Sequence, residues 1–541
     1  MCIVVQGENP YAENNIWAGN LGFSIDGVKA TTRVPATIEP TVAVYYLRMG
    51  ADVTLTQENA FRGFSLGGFT VDGQVAEKVN ISVGGHIKSI ASIFNVAPET
   101  GQYLYHTPDA NGKPYRIPAI AQAKNGDIIA ISDNRPCGSD IGYGEVDIKC
   151  RISTDQGETW GREFMLADGL GIGNKEGVWK TGFGDAAVVA DAERNEILVM
   201  MVCGYTVCWN GNYIPNSSQS NPNRVARIYG KFNDTTGQWK WTEPEEVTET
   251  IYPLFVKNGT PTVQSLFIGS GRICQSRLVK VKDYYRLYCS VWTKNEGNRV
   301  IYSDDFGRSW NILGTVDDRP ATGGDEPKCE EMPDGSVILS SRTNGRVFNI
   351  YKYTDVENGT GKWLGAVTSN ASNNGIAVGN STNGEILMLN AIRKSSGTKV
   401  TLALQSVPFA SSRANVGIFF KEISSDTYNN VSRLASGWTK GIQVSNLGSA
   451  YSTMALQHNH RIGFLFEEEP GGYCIVYVPL TLEAITLDQY ELDTAAYPTG
   501  ILSPIVTPSS IQERCYDLQG RLVSTPTQGI YIQNGKKLIV K

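Results

Sequence analysis

Two arginines, one at the start of a short apolar run and one after the next such run, are placed to bind a carboxylate together. Arg116 lies between Tyr115 and an Ile-Pro pair, and Arg135 follows the apolar run at residues 128–131. A residue that precedes proline is restricted to extended conformations, so Ile117 favours a strand that would hold Arg116 at a fixed depth. Guanidinium groups bind carboxylates bidentately and stay charged at any working pH. The pattern predicts an anion site at one end of a small sheet.

Two octets of closely similar sequence recur further along the chain. Residues 153–160 read Ser-Thr-Asp-Gln-Gly-Glu-Thr-Trp, and residues 303–310 read Ser-Asp-Asp-Phe-Gly-Arg-Ser-Trp. The Ser and Asp side chains can bond the backbone of a turn, the Gly supplies a positive φ, and the Trp can pack between sheets. Asp155 and Asp305 are therefore predicted to be structural. Weaker octet-like turns occur at residues 233–239, 355–363 and 425–438.

These motifs lie in a repeating β pattern. Between residues 101 and 508, apolar alternation, a glycine-containing turn and another strand recur, for example at residues 128–131, 197–201, 287–292 and 337–340. This repetition is typical of a β-propeller and supports several blades. Residues 1–100 are also β-rich, with short runs between turn residues that favour a small β-sandwich. Residues 509–541 predict two strand pairs around glycine turns.

Composition excludes several classes of function. The net charge of −6 is mild and the charges are interspersed, so no basic face for nucleic acid is expected. No apolar stretch is long enough to span a bilayer. Four histidines and ten scattered cysteines lack metal-site spacing, so we expect no metal or cofactor and mostly reduced thiols. The first residues lack the features of a signal peptide, so the chain is either cytoplasmic or a mature or truncated product.

The Arg-Ile-Pro segment and the two octets resemble the hallmarks of the bacterial and animal sialidases (exo-α-neuraminidases), including their repeated Asp box. The resemblance implies a six-bladed β-propeller catalytic domain at residues 101–508, preceded by a lectin-like, carbohydrate-binding β-sandwich at residues 1–100. It implies a retaining exo-α-sialidase that hydrolyses terminal α-linked sialic acid from glycoproteins, glycolipids or oligosaccharides through a tyrosyl-enzyme intermediate, without a cofactor. We expect the protein to be a monomer.

The resemblance also implies the catalytic residues. Tyr451, which precedes a Ser and an apolar strand, matches the family nucleophile, and Glu326 matches the glutamate that accepts its proton. A neutral phenol avoids the repulsion that an attacking carboxylate would meet at the carboxylate-bearing anomeric carbon, but it needs an adjacent base. Asp140, five positions after Arg135, matches the acid/base aspartate. Glu330 and Glu331 remain alternatives to Glu326, and Asp147 remains an alternative to Asp140.

Arginines and further polar residues complete the implied site. Arg116, Arg342 and Arg413 match the triad that grips the substrate carboxylate, and burying three cations in one cleft suits an anion site. Glu467 matches the carboxylate that orients Arg116, with Glu468 and Glu469 as alternatives. Arg135 and Asp185 match residues around the C4 hydroxyl and the N-acetyl group. All of these assignments are carried over from the family motifs.

Three alternatives remain open from the sequence. The same site would suit an intramolecular trans-sialidase or an enzyme for deaminated sialic acid, and a propeller scaffold can also serve a non-catalytic lectin. Linkage preference depends on the shapes of rim loops, which local motifs do not encode. Residues 509–541 resemble the C-terminal tails of secreted Bacteroidetes proteins, which favours export to the periplasm, the cell surface or the medium over a cytoplasmic location.

Overall fold

The computed structural model describes residues 101–497, except 111, 218–219 and 470–471, together with separate strands between residues 2 and 96 and between residues 515 and 540. The chain divides into two compact units, Met1–Pro498 and Thr499–Lys541. Each unit is built of β-sheets.

Six sheets form the blades of a β-propeller within the first unit, as the resemblance implied. Blades 1 to 3 follow one another in chain order, except that the blade 2 strand Gly271–Arg272 lies within the chain segment of blade 3. Blade 1 contains Tyr115–Gln122, Ile128–Asn134, Asp147–Ser153 and Phe164–Ala167. Blade 2 contains Phe183–Ala190, Glu196–Cys203, Arg224–Asn233, Gln238–Trp241, Glu245–Glu246 and Gly271–Arg272. Blade 3 contains Leu266–Ile268, Cys274–Gln275, Leu287–Thr293, Gly297–Ser303 and Asn311–Ile312.

The remaining blades complete the ring. Blade 4 contains Pro327–Glu331, Val337–Thr343, Gly345–Asp355, Thr360–Trp363 and Val367–Ser369. Blade 5 contains Ile386–Arg393, Thr398–Pro408, Val416–Ile423, Thr439–Gln443 and Tyr490–Leu492. Blade 6 contains Ser449–Leu456, Ile462–Glu468, Cys474–Leu480 and the distant strand Gln102–Tyr105. A separate hairpin pairs Val256–Lys257 with Thr260–Pro261.

Blade 6 closes the propeller, because its outermost strand comes from the opposite end of the propeller sequence. Gln102 lies opposite Tyr477, and Tyr103 lies opposite Val476. The adjacent Tyr105 hydroxyl donates to the Ala130 carbonyl of blade 1 at 2.7 Å. The same short strand therefore completes one blade and ties it to the next.

Hydrophobic cores lie between neighbouring blades. Each of the six interfaces has its own cluster of buried side chains, because the middle strands are apolar on both faces. In blade 1, Ile129 and Ile131 pack toward blade 2, whereas Ile128 and Ala130 pack toward blade 6. This explains why the strands read as near-continuous apolar runs, since successive residues in a strand point to opposite faces.

The two octets form the same hydrogen-bonded turn. Asp155 accepts from the Ser153 hydroxyl at 2.8 Å and from the Thr159 backbone at 2.9 Å. Asp305 accepts from Ser303 and Ser309 in the same way, at 2.8 Å each. The prediction that both aspartates are structural is therefore confirmed by their contacts.

Few helices connect the strands. The α-helices are Thr248–Ile251, Val431–Ala435 and Leu482–Ile485, and the 3-10 helices are Thr107–Ala110, Val178–Lys180, Cys208–Asn210, Tyr252–Phe255, Ala371–Asn373 and Thr494–Ala496. Within the described ranges, none of the helices has the length and apolarity to cross a bilayer. Seven cysteines of the described residues form no disulfide: Cys137, Cys150, Cys203, Cys208, Cys274, Cys289 and Cys329. That the thiols are mostly reduced stays a prediction.

Strands also occur on both sides of the propeller segment. The N-terminal part has one sheet of Val42–Tyr46, Cys2–Gln6, Ile90–Val96, Phe64–Val71 and Gln74–Ala76, and a second of Val28–Lys29, Phe23–Ile25, Asp52–Gln57 and Lys78–Ser82. The C-terminal unit has one sheet of Leu522–Val523, Cys515–Tyr516, Gly529–Gln533 and Lys536–Val540. The domain division at residues 100 and 508 stays a prediction, as does carbohydrate binding by residues 1–100.

Candidate active site

Three inner strands carry a β-bulge at the point where they present side chains predicted for the site. The pairing register shifts between Arg116 and Ala119 in blade 1, between Gly184 and Ala187 in blade 2, and between Ser449 and Ser452 in blade 6. A bulge bends its strand and re-aims a side chain, and such bulges are frequent next to active sites. The bulges turn Asp185 and Tyr451 out of the regular alternation.

Ile117 shows how strongly the first bulge is constrained. Its φ is 56°, a left-handed value that is strained for a β-branched residue. The prediction that the following proline holds Ile117 in an extended conformation is therefore wrong. The Ile117 backbone N–H donates to the Glu467 carboxylate at 2.8 Å, which stabilises the unusual backbone.

Glu467 organises this corner of the site. It accepts from Arg116 Nε at 2.7 Å and Nη2 at 3.3 Å, and from the Tyr451 backbone N–H at 3.1 Å. Burial opposes the ionisation of Glu467, but Arg116 and these N–H groups outweigh it, so its pKa lies below the usual range. Glu468 accepts instead from the Tyr103 hydroxyl, and Glu469 is exposed. Of the three candidates, Glu467 is the residue that holds Arg116.

Tyr451 and Glu326 form the central polar pair. The Tyr451 hydroxyl donates to Glu326 Oε1 at 2.5 Å, and Arg342 Nη1 donates to both the Tyr451 hydroxyl and Glu326 Oε2 at 2.9 Å. Burial, and then the Glu326 carboxylate, raise the pKa of Tyr451 well above its usual value. The resting phenol is therefore neutral, with its proton already directed at a base.

Three guanidinium groups surround Tyr451. The guanidinium carbons of Arg116 and Arg413 lie 5.6 Å and 5.3 Å from the centre of the Tyr451 ring, and Arg342 bonds its hydroxyl. Arg116 and Arg342 are each paired with a carboxylate. Arg413 has no side-chain hydrogen bond or ion pair to any residue that the structure describes, so its charge is available to an anionic ligand.

A second group of charges lies on the blade 1 and blade 2 side. Arg135 Nη2 lies 3.1 Å from both Asp133 and Asp140 carboxylate oxygens, and the Asp185 backbone N–H donates to Asp133 at 3.2 Å. Burial raises the pKa of Asp133 to about 7 and raises that of Asp185 well above its usual value. The side chain of Asp140 is 54% exposed, so it can meet a substrate that enters from solvent.

These groups share one cleft of about 380 Å³. Eight of the nine predicted site residues line it, and the ninth, Glu467, lies behind Arg116: Arg116, Arg135, Asp140, Asp185, Glu326, Arg342, Arg413 and Tyr451. The alternatives lie elsewhere. Asp147 accepts from the Gly169 backbone, Glu330 pairs with Arg272, and Glu331 accepts from Ser276 and Arg277. None of these three lines the cleft.

Seven further residues in the cleft wall were missed by sequence analysis: Ile141, Cys208, Trp209, Asn223, Phe267, Trp292 and Asp325. Phe267 and Trp292 are cross-strand partners whose rings stack at 5.0 Å. Burial and the adjacent Glu326 raise the pKa of Asp325 to about 6. Two of the seven adjoin predicted site residues, Asp325 next to Glu326 and Ile141 next to Asp140. The other five belong to no site motif and reach the cleft through the packing of the blades.

The described residues include no group of His, Cys, Asp and Glu side chains that could hold a metal ion. What the cleft offers is therefore a set of cations for an anion, a phenol with an adjacent carboxylate, and a separate exposed carboxylate. This arrangement can bind a carboxylate-bearing substrate and can supply a nucleophile, a base and an acid.

Comparison with known proteins identifies the relatives of the chain. No family model matches it. A sialidase of Micromonospora viridifaciens is 30% identical over 279 residues, which cover 50% of this chain and 40% of the relative. A sialidase of Clostridium perfringens is 23% identical over 381 residues, covering 66% of this chain and 87% of the relative. This chain is similar in sequence to these two bacterial sialidases.

Solved sialidase structures share the fold of this chain. A Hadza microbial sialidase has a TM-score of 0.55 at 18% identity, covering 85% of this chain and 80% of the other. The intramolecular trans-sialidase of Ruminococcus gnavus has a TM-score of 0.51 at 16% identity, covering 71% and 98%. The chain spans less than half the length of the Micromonospora relative, at 40%. The solved structures thus support the propeller fold.

Proposed function

We propose that the protein is a retaining exo-α-sialidase that releases terminal α-linked sialic acid. The observation that carries the proposal is the 2.5 Å hydrogen bond from the Tyr451 hydroxyl to Glu326, in the same cleft as Arg116, Arg342 and Arg413. A tyrosine needs an adjacent base to act as a nucleophile, and three cations suit a substrate that carries a carboxylate at the reacting carbon.

The first step would form a glycosyl-tyrosine. The three arginines hold the substrate carboxylate and place the anomeric carbon against the Tyr451 oxygen. That oxygen forms a bond to the carbon as its proton passes to Glu326, while the bond to the leaving group breaks and Asp140 protonates the departing oxygen. Arg342, which donates to both Tyr451 and Glu326, stabilises negative charge as it shifts between them.

The second step would return the enzyme to its starting state. Asp140, now a carboxylate, takes a proton from water, and the water oxygen attacks the anomeric carbon. The bond to Tyr451 breaks, and Glu326 returns the proton to the phenolate. Two displacements at one carbon give net retention, so the sugar leaves as the α-anomer.

Proton NMR in the opening minutes of reaction with a synthetic α-sialoside tests the proposal. The α-anomer of free sialic acid should appear before the β-anomer. Early β-anomer would contradict the double displacement. A 2,7-anhydro product would assign the site to intramolecular trans-sialidase chemistry, and no product from any linkage would favour a sialoglycan lectin.

Two substitutions test the assigned roles with the same substrate. Tyr451→Phe removes the hydroxyl and should lower kcat/KM by roughly 10³-fold or more, and Asp140→Ala should slow substrates with poor leaving groups most. Tyr351→Phe is the matched control, because Tyr351 is a buried blade 4 tyrosine whose hydroxyl donates to Gly359 at 2.8 Å, away from the cleft. The control should keep its full kcat/KM.

We further propose that the substrates are sialylated glycoconjugates and that the protein is exported. The resemblance of residues 509–541 to C-terminal tails of secreted proteins supports export. Fractionation of cells that express the protein from its own gene would test this, and recovery in the cytoplasm alone would contradict it.

A further inference from the structure

A buried polar layer adjoins the Tyr451–Glu326 pair. Thr453 lies two residues after Tyr451 in the strand Ser449–Leu456, and Lys328, in the strand Pro327–Glu331, lies two residues after Glu326. Thr453 and Lys328 are completely buried, and neither lines the cleft. The innermost strands of blades 6 and 4 therefore each carry one layer residue two positions beyond a cleft residue.

Glu385 of blade 5 connects the two strands within this layer. Its Oε2 accepts from the Thr453 hydroxyl at 3.0 Å and lies 3.9 Å from Lys328 Nζ. Its Oε1 lies 4.0 Å from Arg272 Nε. Glu385 is itself completely buried. The Glu385 carboxylate of blade 5 therefore contacts Thr453 of blade 6 and Lys328 of blade 4, and it also lies near Arg272 of blade 2.

Gly271 shows that the layer is built to close tolerances. A Cβ at this position would come within 2.5 Å of Lys328 Nζ and within 3.3 Å of both Glu385 Oε2 and Thr453 Oγ1. Its φ is 101°, which disfavours any side chain. The absence of a Cβ leaves room for the ammonium and the carboxylate to approach.

The layer is costly as a purely structural device. Lys328 Nζ has no hydrogen-bond partner in the described structure, and burial lowers the pKa of Lys328 and raises that of Glu385. Replacing a buried ion pair by apolar residues is often neutral or stabilising for a fold. The layer is thus better explained by a role in positioning neighbouring residues than by a contribution to the stability of the fold.

A second contact points the same way. Asn383 Oδ1 accepts from the Ser452 backbone N–H at 3.2 Å, and the neighbouring Arg346 bonds the Asn383 carbonyl. Residues 383–385 therefore accept hydrogen bonds from both residues that follow Tyr451: from the backbone N–H of Ser452 and from the hydroxyl of Thr453.

We propose that Lys328, Glu385 and Thr453 are positioning residues that fix the orientation of Tyr451 against Glu326. They act through the two strands and do not touch substrate. The catalytic part of the inference rests on the proposed function, but the orientation of the tyrosine can be measured without turnover.

Fluorine NMR of protein labelled with 3-fluorotyrosine measures that orientation. The Tyr451 resonance is identified as the one that disappears in Tyr451→Phe. Thr453→Val removes the hydroxyl at nearly constant volume and should shift or broaden this resonance, whereas Thr453→Ser should leave it near its original position. Thr293→Val is the matched control, because Thr293 is fully buried and its hydroxyl donates to Gly297 at 2.7 Å in blade 3.

Kinetics with a fluorogenic sialoside give the second readout. Thr453→Val should lower kcat by on the order of 100-fold with little change in KM, as a small misplacement of a reacting group does, and Thr453→Ser should restore most of it. Lys328→Met should act in the same direction. A Tyr451 resonance unmoved by both Thr453→Val and Lys328→Met would overturn the inference. Inactivity of the unaltered protein would reject the proposed function, while the fluorine spectra would still decide the positioning role.

Discussion

At the residue scale, the motifs located the reacting groups but not their supports. Tyr451, Glu326 and the arginines follow recognisable segments, and the structure brings them to one cleft. The sequence could not choose among Glu467, Glu468 and Glu469, because the choice depends on a contact with Arg116 that spans 351 positions of chain. The role of Asp133 was not predicted for the same reason, because its carboxylate accepts a hydrogen bond from the backbone N–H of Asp185, which is distant in sequence.

Glu467→Gln should weaken the binding of carboxylate ligands by roughly tenfold or more, because Arg116 loses the charged partner that orients it. Titration calorimetry with free sialic acid measures this, and Glu469→Gln on the exposed neighbour is the control.

The low pKa of Glu467 also stabilises the fold above the unfolded carboxyl pKa of about 4.3, and that contribution is lost as the pH falls below it. The stability difference from the variant should therefore shrink in acid.

Asp133→Asn should change how stability depends on pH. The folded pKa of about 7 lies above the unfolded value of about 3.9, so the native state binds the proton more tightly and stability falls as the pH rises between them. The unaltered protein should therefore lose stability relative to Asp133→Asn from about pH 4 to about pH 7. Urea denaturation at several pH values measures this, with Asp234→Asn on an exposed turn as the control. A pH-independent difference would contradict the prediction.

At the element scale, turns were easier to predict than bulges. The octets announce themselves by residue type, because Ser, Asp and Gly each satisfy a fixed requirement of the turn. The three bulges have no such signature. At Ile117, the preference of a residue before proline for an extended conformation leads to a wrong prediction. The hydrogen bond from the Ile117 backbone N–H to the Glu467 carboxylate stabilises a left-handed conformation instead. Strain that a distant side chain stabilises cannot be inferred from neighbours in the sequence.

Gly157→Ala should destabilise the propeller by more than the same change at Gly237. Both glycines have positive φ, 87° and 68°, so an alanine at either position is held in a strained left-handed conformation that costs about 1 kcal/mol. A Cβ at Gly157 would also come within 2.2 Å of the Tyr477 hydroxyl, whereas nothing lies within 4 Å at Gly237. Thermal unfolding of the two variants measures the difference. Equal losses would mean that the octet turn yields without disturbing blade 6.

At the scale of the whole molecule, the repeat pattern predicted a propeller but only several of its blades. The main strands of blades 1 to 5 follow one another along the chain with strong alternation, which sequence can detect, although blade 2 also takes Gly271–Arg272 and blade 5 takes Tyr490–Leu492 from later segments. The sixth could not be recognised in that way, because its outer strand, Gln102–Tyr105, is separated from the rest by more than 300 residues of chain. The residues of the cleft wall were hidden for a related reason, since adjacent blades supply them.

Leu104→Ala should destabilise the ring as a unit. Leu104 is 3% exposed at the interface between blades 6 and 1, and such a truncation costs roughly 2–5 kcal/mol. Denaturation followed by tryptophan fluorescence and by ligand binding should show one shared transition at a lower midpoint. Lys362→Ala on the exposed outer strand of blade 4 is the control. Separate transitions for fluorescence and binding would show that the blades unfold independently.

The split of blade 6 has a consequence for synthesis of the protein. A growing chain emerges from the ribosome N-terminus first, and domains begin to fold as they emerge. Gln102–Tyr105 must wait for Cys474–Leu480 before it finds its partner, and Arg116 must wait equally long for Tyr451 and Glu467. A nascent chain translated as far as the blade 5 strand Thr439–Gln443 still has an open ring and an incomplete cleft. The complete cleft therefore forms only after the strands of blade 6 have been translated.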